Sequence, residues 1–179
     1  MNYQKHIPPH VYLDNNIYFI TANTLGHRPL FHTDEKLHML SGRINVSCRE
    51  VNADLIAWVA LPNHYHLLLK VKSGDSLPII IHGIHGGSSY VLNTMDNVRG
   101  REIWWNYREY CPKNEKDLWT HFNYIHHNPV KHGYVRNIQE LDKYRFSSYR
   151  RYLDTWGYES LMLKFEEYPI VGYSVYDPE

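Results

Sequence analysis

Two clusters of residues could do chemistry together. In PNHYHLLLKV, His64 and His66 stand two apart within an apolar run. On a strand, alternate side chains leave the same face, so both imidazoles point one way and Tyr65 and Leu67 the other. Imidazole is a common ligand of divalent metals, and histidine in an apolar strand is costly unless it has partners. The pair is not a complete site, because Mg²⁺ or Mn²⁺ would want further oxygen ligands and water. The second cluster is HFNYIHHNPVKHGYV. On a helix, Tyr124 and Asn128 are four apart and share a face, with His127 near it. A phenol with a reference pKa of ~10 is a poor nucleophile at neutral pH unless activated. A divalent metal and a base would supply that activation, and the metal would also polarise a phosphate. In this reading Tyr124 attacks, Asn128 offers its amide oxygen to the metal, and His127 contacts phosphate or assists proton transfer. The same residues also fit a packed strand and an amphipathic helix stopped at Asn-Pro.

The elements that must position these groups can be read from periodicity. Ile17–Thr24 alternates and is rich in β-branched residues, as a strand is. Asp34 can cap a helix from Glu35 to about Glu50, with Leu37, Leu40 and Ile44 at helical spacing. Ala53–Leu61 and His64–Val71 are apolar runs joined through Pro62-Asn63, a hairpin. Asp75 or Ser76 starts a second helix, interrupted near Gly86-Gly87 and resumed to about Met95. Ile103–Cys111 reads as an aromatic strand, and Lys113–His127 as a helix with Leu118, Trp119, Phe122 and Ile125 on its apolar side. Pro129 disfavours helical backbone at Asn128, so the helix is expected to end there. The first six elements match the split βαβ pattern. The expected fold class is therefore α+β: a ferredoxin-like antiparallel sheet with helices on one face, followed by an extra tyrosine helix. Gly133–Glu179 reads as irregular and Tyr-rich, with a short helix near Glu159–Glu167.

The 179 residues suit a single domain, with a core at about 17–152 and an acidic tail over 153–179. Two cysteines are too few for a disulfide framework. No apolar run approaches the ~20 residues of a membrane span, and the N-terminus lacks a secretory pattern, so a cytoplasmic protein is expected. The formal net charge is zero but unevenly spread. Residues 99–151 carry 11 Lys+Arg against 6 Asp+Glu, and residues 152–179 carry 1 against 6. A basic segment before an acidic tail could bind a phosphate backbone and limit that binding; ordinary solvated surface is the other reading. Candidate phosphate contacts are Arg99, Arg101, Lys131, Arg136, Arg145, Arg150 and Arg151. Trp104, Trp105 and Tyr107 could stack bases, with core packing expected for at least two of them.

At this point the motifs resemble a known family. PNHYHLLLKV resembles the HUH motif, two histidines around one bulky residue, and YIHHNPVKHGYV resembles the tyrosine helix of the single-tyrosine HUH transposases of bacterial insertion sequences. Within these it is most similar to the REP-associated tyrosine transposases, whose helix reads Tyr-Ile-His-x-Asn-Pro-Val. YRFSSYRRY is similar to that family's Trp-Ser-Ser-Tyr region, with Phe146 in the Trp position; GGSSYVLN and IWWNYREYC are also similar. The resemblance spans roughly Ile17 to Tyr152. Members often carry a basic residue in the second helix where this chain has IIIHGIHGGSSY, and His82, His85, Ser88 and Ser89 are substitutes that could touch DNA.

The resemblance implies a ferredoxin-like sheet carrying the histidine pair, and cleavage of single-stranded DNA beside a hairpin or palindromic repeat. It implies a 5′-phosphotyrosine link and a free 3′ hydroxyl, with Mg²⁺ or Mn²⁺ as cofactor. Carried over by position, His64 and His66 are metal ligands, Tyr124 the nucleophile and Asn128 the third ligand. Such enzymes act as monomers or as homodimers. Two other readings stand beside it. One is a catalytically silent, domesticated protein that binds hairpin DNA; the other is an RNA-binding module, since ferredoxin-like sheets also recognise RNA. A structural zinc protein lacks the usual ligand spacings here.

Overall fold

A computed structural model of the chain describes residue 10 and residues 12–170. It contains strands β1 (Asn16–Thr24), β2 (Asp54–Ala60), β3 (His64–Val71) and β4 (Trp104–Tyr110). The helices are α1 (Asp34–Glu50), α2 (Ser76–Met95), α3 (Glu115–Lys131), α4 (Tyr149–Trp156) and α5 (Tyr158–Glu167). The strands form one antiparallel sheet in the order β2-β3-β1-β4, the ferredoxin-like arrangement expected of the chain. Among the described residues no helix is long and apolar enough to cross a membrane.

Strand alternation divides the sheet into two faces. Tyr65 lies on the face covered by α2, where its hydroxyl meets His85 Nε2 at 2.9 Å. His66 lies on the opposite face, beneath Tyr124 of α3. Thus α1 and α2 pack together on one side, and α3 covers the histidine side. Leu37, Leu40 and Ile44 of α1, Leu77, Ile80 and Ile84 of α2, and Ile20, Leu67 and Leu69 of the sheet are buried. Each such side chain stabilises the fold by roughly 1.5–3 kcal/mol.

Four boundaries differ from the sequence expectation, each for a local reason. Thr33, not Asp34, caps α1, its hydroxyl accepting from Lys36 N at 3.3 Å. The second helix runs unbroken through Gly83, Gly86 and Gly87. A Cβ on Gly83 would lie 2.5 Å from Ser47 Oγ, and one on Gly87 3.0 Å from the Arg43 side chain, so these glycines let α1 and α2 approach closely. Helix α3 continues past Asn128 with Pro129 inside it, and Tyr134 N and His132 N satisfy the carbonyls of Pro129 and Asn128. The region after Gly133 is ordered into α4 and α5 as well as a 3-10 turn over Ile138–Lys143. The acidic residues 171–179 lie outside the described residues.

Ser148 explains part of YRFSSYRRY. Its segment extends the β2 edge, with Ala60 N donating to Phe146 O at 2.9 Å and Ser148 N to Trp58 O at 2.9 Å. Ser148 Oγ accepts from Trp58 N at 2.9 Å and is hydrogen-bonded to His126 Nε2 of α3 at 2.8 Å. One hydroxyl therefore ties the sheet edge to the tyrosine helix.

His126 is buried and His85 half-buried, and desolvation pushes each down to about 3. The unfolded chain takes up those protons near pH ~6.5, whereas the folded chain takes them up only far below. Stability is therefore full above about pH 6.5 and falls as pH drops towards 3, by roughly 1.4 kcal/mol per unit per histidine. Between pH 7 and 5 the thermal midpoint should fall sharply, and His126→Gln should flatten the slope. A level profile in the wild type would refute this.

Candidate active site

The hairpin between β2 and β3 builds the first half of the site. Leu61–Asn63 make the turn, pinned by Leu61 N to His64 O at 2.8 Å, Phe31 N to Pro62 O at 2.9 Å and Thr24 N to Asn63 O at 2.8 Å. His64 and His66 then enter the α3-covered face, 3 % and 0 % exposed, with ring centroids 5.0 Å apart.

Each imidazole is oriented through Nδ1. Asn63 Nδ2 donates to His27 O at 3.3 Å, which turns Asn63 Oδ1 towards His64 Nδ1 at 2.7 Å. An amide oxygen only accepts, so His64 carries a proton on Nδ1, and in the neutral imidazole Nε2 turns its lone pair to the site. His66 Nδ1 is 2.9 Å from Thr21 Oγ1, its partner across the β1–β3 register. A hydrogen-bonded Nδ1 with Nε2 turned to the site is how metal-binding histidines are commonly held.

Helix α3 supplies the second half. Asn114 caps its start, Oδ1 accepting from Asp117 N at 2.9 Å. Asn128, fully buried, donates from Nδ2 to Tyr124 O at 3.1 Å, so its Oδ1 faces His64 Nε2 at 3.3 Å. An amide oxygen and a nitrogen lone pair facing one another need a cation or a proton between them. Neighbouring ligand atoms around an octahedral ion at about 2.1 Å are about 3 Å apart, close to this spacing. His64, His66 and Asn128 therefore fit a divalent ion as a neutral donor set. Among the described residues no group of three His, Cys, Asp or Glu side chains could hold a metal. An ion at this site would thus need the amide, water and an anionic substrate as further ligands.

Tyr124 lies over His66, with ring centroids 5.1 Å apart in an edge-on arrangement, and against Phe19 at 6.0 Å. It is 2 % exposed, and Lys131 Nζ donates to its hydroxyl at 3.4 Å. The residues expected to form the site, His64, His66, Tyr124 and Asn128, are thus brought together.

The remaining expected residues divide. His127 points elsewhere: its Nδ1 bonds Asn123 O at 2.7 Å and its ring meets Phe165 of α5 at 4.3 Å. Burial lowers its pKa. Arg101 pairs with Asp96 at 2.6 Å, and Arg151 caps the Leu55 and Ile56 carbonyls while stacking on Tyr152. Arg145 pairs with Asp34 and Arg150 with Asp154, both pairs exposed. Exposed pairs of this kind contribute about 0–1 kcal/mol, so both arginines can exchange a carboxylate for a phosphate. Arg99 and Arg136 are exposed. Trp104 and Tyr107 are buried and Trp105 is 36 % exposed. His85 and Ser88 bond Tyr65 and Trp104 on the opposite face of the sheet, away from the histidine pair.

Two residues near the site escape sequence reasoning. His132, which caps α3, packs edge-on against His64 at 4.8 Å. Arg108 of β4 pairs with Thr21, which pairs with His66, and so occupies the same cross-strand row, exposed at the sheet edge. Only the β1–β4 register reveals that proximity, and a bulge between Ala22 and Thr24 shifts it.

The chain is 27 % identical over 142 residues to a REP-associated tyrosine transposase of Escherichia coli K12, covering 78 % of this chain and 80 % of that protein. It is 26 % identical over 157 residues to a putative REP-associated tyrosine transposase of Haemophilus influenzae Rd, covering 79 % and 87 % respectively. A REP-associated tyrosine transposase solved bound to a REP hairpin has the same fold, with a TM-score of 0.70, 21 % identity, and 97 % and 98 % of the two chains covered. The family described as "Transposase IS200 like" matches residues 16–128, more than half of the chain and the whole span from β1 to Asn128. The chain belongs to the IS200-like transposase family.

Proposed function

We propose that this transposase cuts and rejoins single-stranded DNA beside a hairpin or palindromic repeat, through a 5′-phosphotyrosine at Tyr124. The convergence of the His64 Nε2 lone pair, the Asn128 amide oxygen and the Tyr124 ring over His66 carries this reading. His64, His66 and Asn128 would hold one Mg²⁺ or Mn²⁺. When bound, such an ion supplies a Lewis-acid contact to the scissile phosphate and neutralises charge developing on it.

The chain's own groups do the rest. Asn63 and Thr21 keep each imidazole turned towards the site. Asn128 bridges from Tyr124 O to His64, so the nucleophile's helix and the histidine strand are held in one geometry. Tyr124 Oη attacks phosphorus in line, and the 3′ oxygen leaves as a hydroxyl. A second DNA end attacks the phosphotyrosine through its own 3′ hydroxyl and restores the backbone. The tyrosyl ester conserves the bond energy, so no nucleotide cofactor is needed. Arg99, Arg136, Arg145, Arg150 and Arg108 are the candidate phosphate contacts. The chain acts in the cytoplasm, as a monomer or homodimer, with core residues 17–152 as the working unit.

The substrate class is tested by offering labelled DNA hairpins with single-stranded flanks, the same sequence as full duplex, and an RNA hairpin, each with Mn²⁺. Cleavage of the flanked DNA hairpin alone is expected. Hairpin binding without any cleavage would favour a silent DNA-binding protein, and preference for RNA would favour an RNA-binding module.

A further inference from the structure

We propose that Lys131 is a catalytic residue of the strand-transfer reaction, its ammonium holding the oxygen of Tyr124 as the phosphotyrosine forms and is released. This rests on the reading of Tyr124 as nucleophile. Lys131 ends α3 seven residues after Tyr124, two helical turns along the same face. Its Nζ donates to Tyr124 Oη at 3.4 Å and stands 5.3 Å from the centre of the phenol ring. The contact is to the atom that reacts, at the hydroxyl end of the ring and within cation–π range of its centre, so the ammonium restrains the position of the nucleophile's oxygen.

The continuation of α3 through Pro129 places this lysine. A helix ending at Asn128 would carry the chain away before residue 131. Instead Gly133 N donates to Val130 O at 3.0 Å and Tyr134 N to Pro129 O at 2.8 Å, and Gly133 turns the chain at φ +71°. The last turn is thereby anchored with Lys131 facing Tyr124. Lys131 is exposed whereas Tyr124 is 2 % exposed. A phosphate approaching the phenol oxygen therefore meets the ammonium beside it.

In cleavage the Tyr124 Oη–P bond forms and the P–O3′ bond breaks. The phenolic proton passes to solvent water, and the 3′ oxygen takes a proton from water and leaves as a hydroxyl. In rejoining, the incoming 3′ hydroxyl gives its proton to water as its oxygen bonds to phosphorus, while the Tyr124 oxygen departs with the bonding pair and is reprotonated from water. A cation already aimed at that oxygen stabilises charge on it in both directions without reorganisation. A lysine that only touched phosphate in the ground state would instead act on DNA binding.

Full-length wild type, Lys131→Met and Lys131→Arg are compared on hairpin DNA with single-stranded flanks and Mn²⁺. The readouts are covalent adduct formation at saturating DNA, KM, rejoining rate, and hairpin binding by fluorescence anisotropy. Lys131→Met should lower the saturating cleavage and rejoining rates together by about 10–100-fold, with hairpin binding little changed, and Lys131→Arg should recover most of the loss. An unchanged saturating rate with raised KM would overturn the proposal and leave a phosphate contact. Equal losses in both variants, with a lowered thermal midpoint, would overturn it in favour of a structural role. Absence of an adduct in the wild type would overturn the Tyr124 reading and this proposal together, whereas equal adduct rates in wild type and Lys131→Met would overturn only this one.

Discussion

Tyr124→Phe should abolish the covalent protein–DNA adduct while leaving the protein folded and able to bind hairpin DNA. The substitution removes one oxygen and nothing else. The phenylalanine ring can keep the edge-on contact with His66 at 5.1 Å and the contact with Phe19 at 6.0 Å. The substitution gives up the 3.4 Å hydrogen bond from Lys131, which at this length is worth about 1 kcal/mol. The thermal midpoint should therefore move little. Cleavage should fall by on the order of 10⁴-fold or more, the scale seen when a covalent nucleophile is deleted. Denaturing gel electrophoresis reads the adduct, and anisotropy reads the binding. An adduct of wild-type yield in Tyr124→Phe would place the nucleophile elsewhere.

The second large effect concerns the histidine pair. His64→Ala and His66→Ala should each reduce cleavage at least about 10²-fold, and EDTA should do the same to the wild type. His66 is fully buried, so its truncation also leaves a cavity of the kind that destabilises cores. His66→Gln keeps more of the volume and separates loss of a ligand from loss of packing. Thr21→Val tests the orientation of His66 without touching a ligand, since Thr21 Oγ1 is 2.9 Å from His66 Nδ1. Its metal affinity should drop by roughly 10–100-fold, the usual cost of losing such a partner. Calorimetric titration with Mn²⁺ checks this independently of activity. Full cleavage in EDTA, or unaltered Mn²⁺ affinity in His66→Gln, would contradict the metal assignment.

The parts of this site that were legible in sequence are those set by local periodicity. The alternation in HYHLLLKV places both imidazoles on one face, and β3 spans His64–Val71 as the pattern predicts. The four-residue spacing of Tyr124 and Asn128 places both on the inner side of α3. What local pattern misreads is where neighbours override it. Glycine suggests a break in α2, but close packing on Ser47 and Arg43 uses the missing Cβ atoms. Proline suggests that α3 stops at Asn128, but the Gly133 turn supplies donors to the carbonyls beyond it. His127 looks like a partner of Tyr124 by spacing, yet α5 draws it to Phe165. The sequence predicts α5 only as a short helix near Glu159–Glu167, and its docking onto α3 through Asn123 Nδ2 to Lys164 O and Tyr168 O depends on tertiary contact. Arg108 and His132 are near the site for non-local reasons, one by cross-strand register and one by the turn that ends α3.

The central claim is a 5′-phosphotyrosine at Tyr124, and the polarity of the covalent adduct tests it most directly. Hairpin DNA with single-stranded flanks is labelled in separate preparations at its 5′ and 3′ ends, incubated with the wild-type protein and Mn²⁺, and resolved under denaturing conditions. The 3′-end label should travel with the protein, the 5′-end label should appear on a free fragment bearing a 3′ hydroxyl, and peptide mapping should place the DNA on Tyr124. Retention of the 5′-end label by the protein, or attachment at any other residue, would contradict the account.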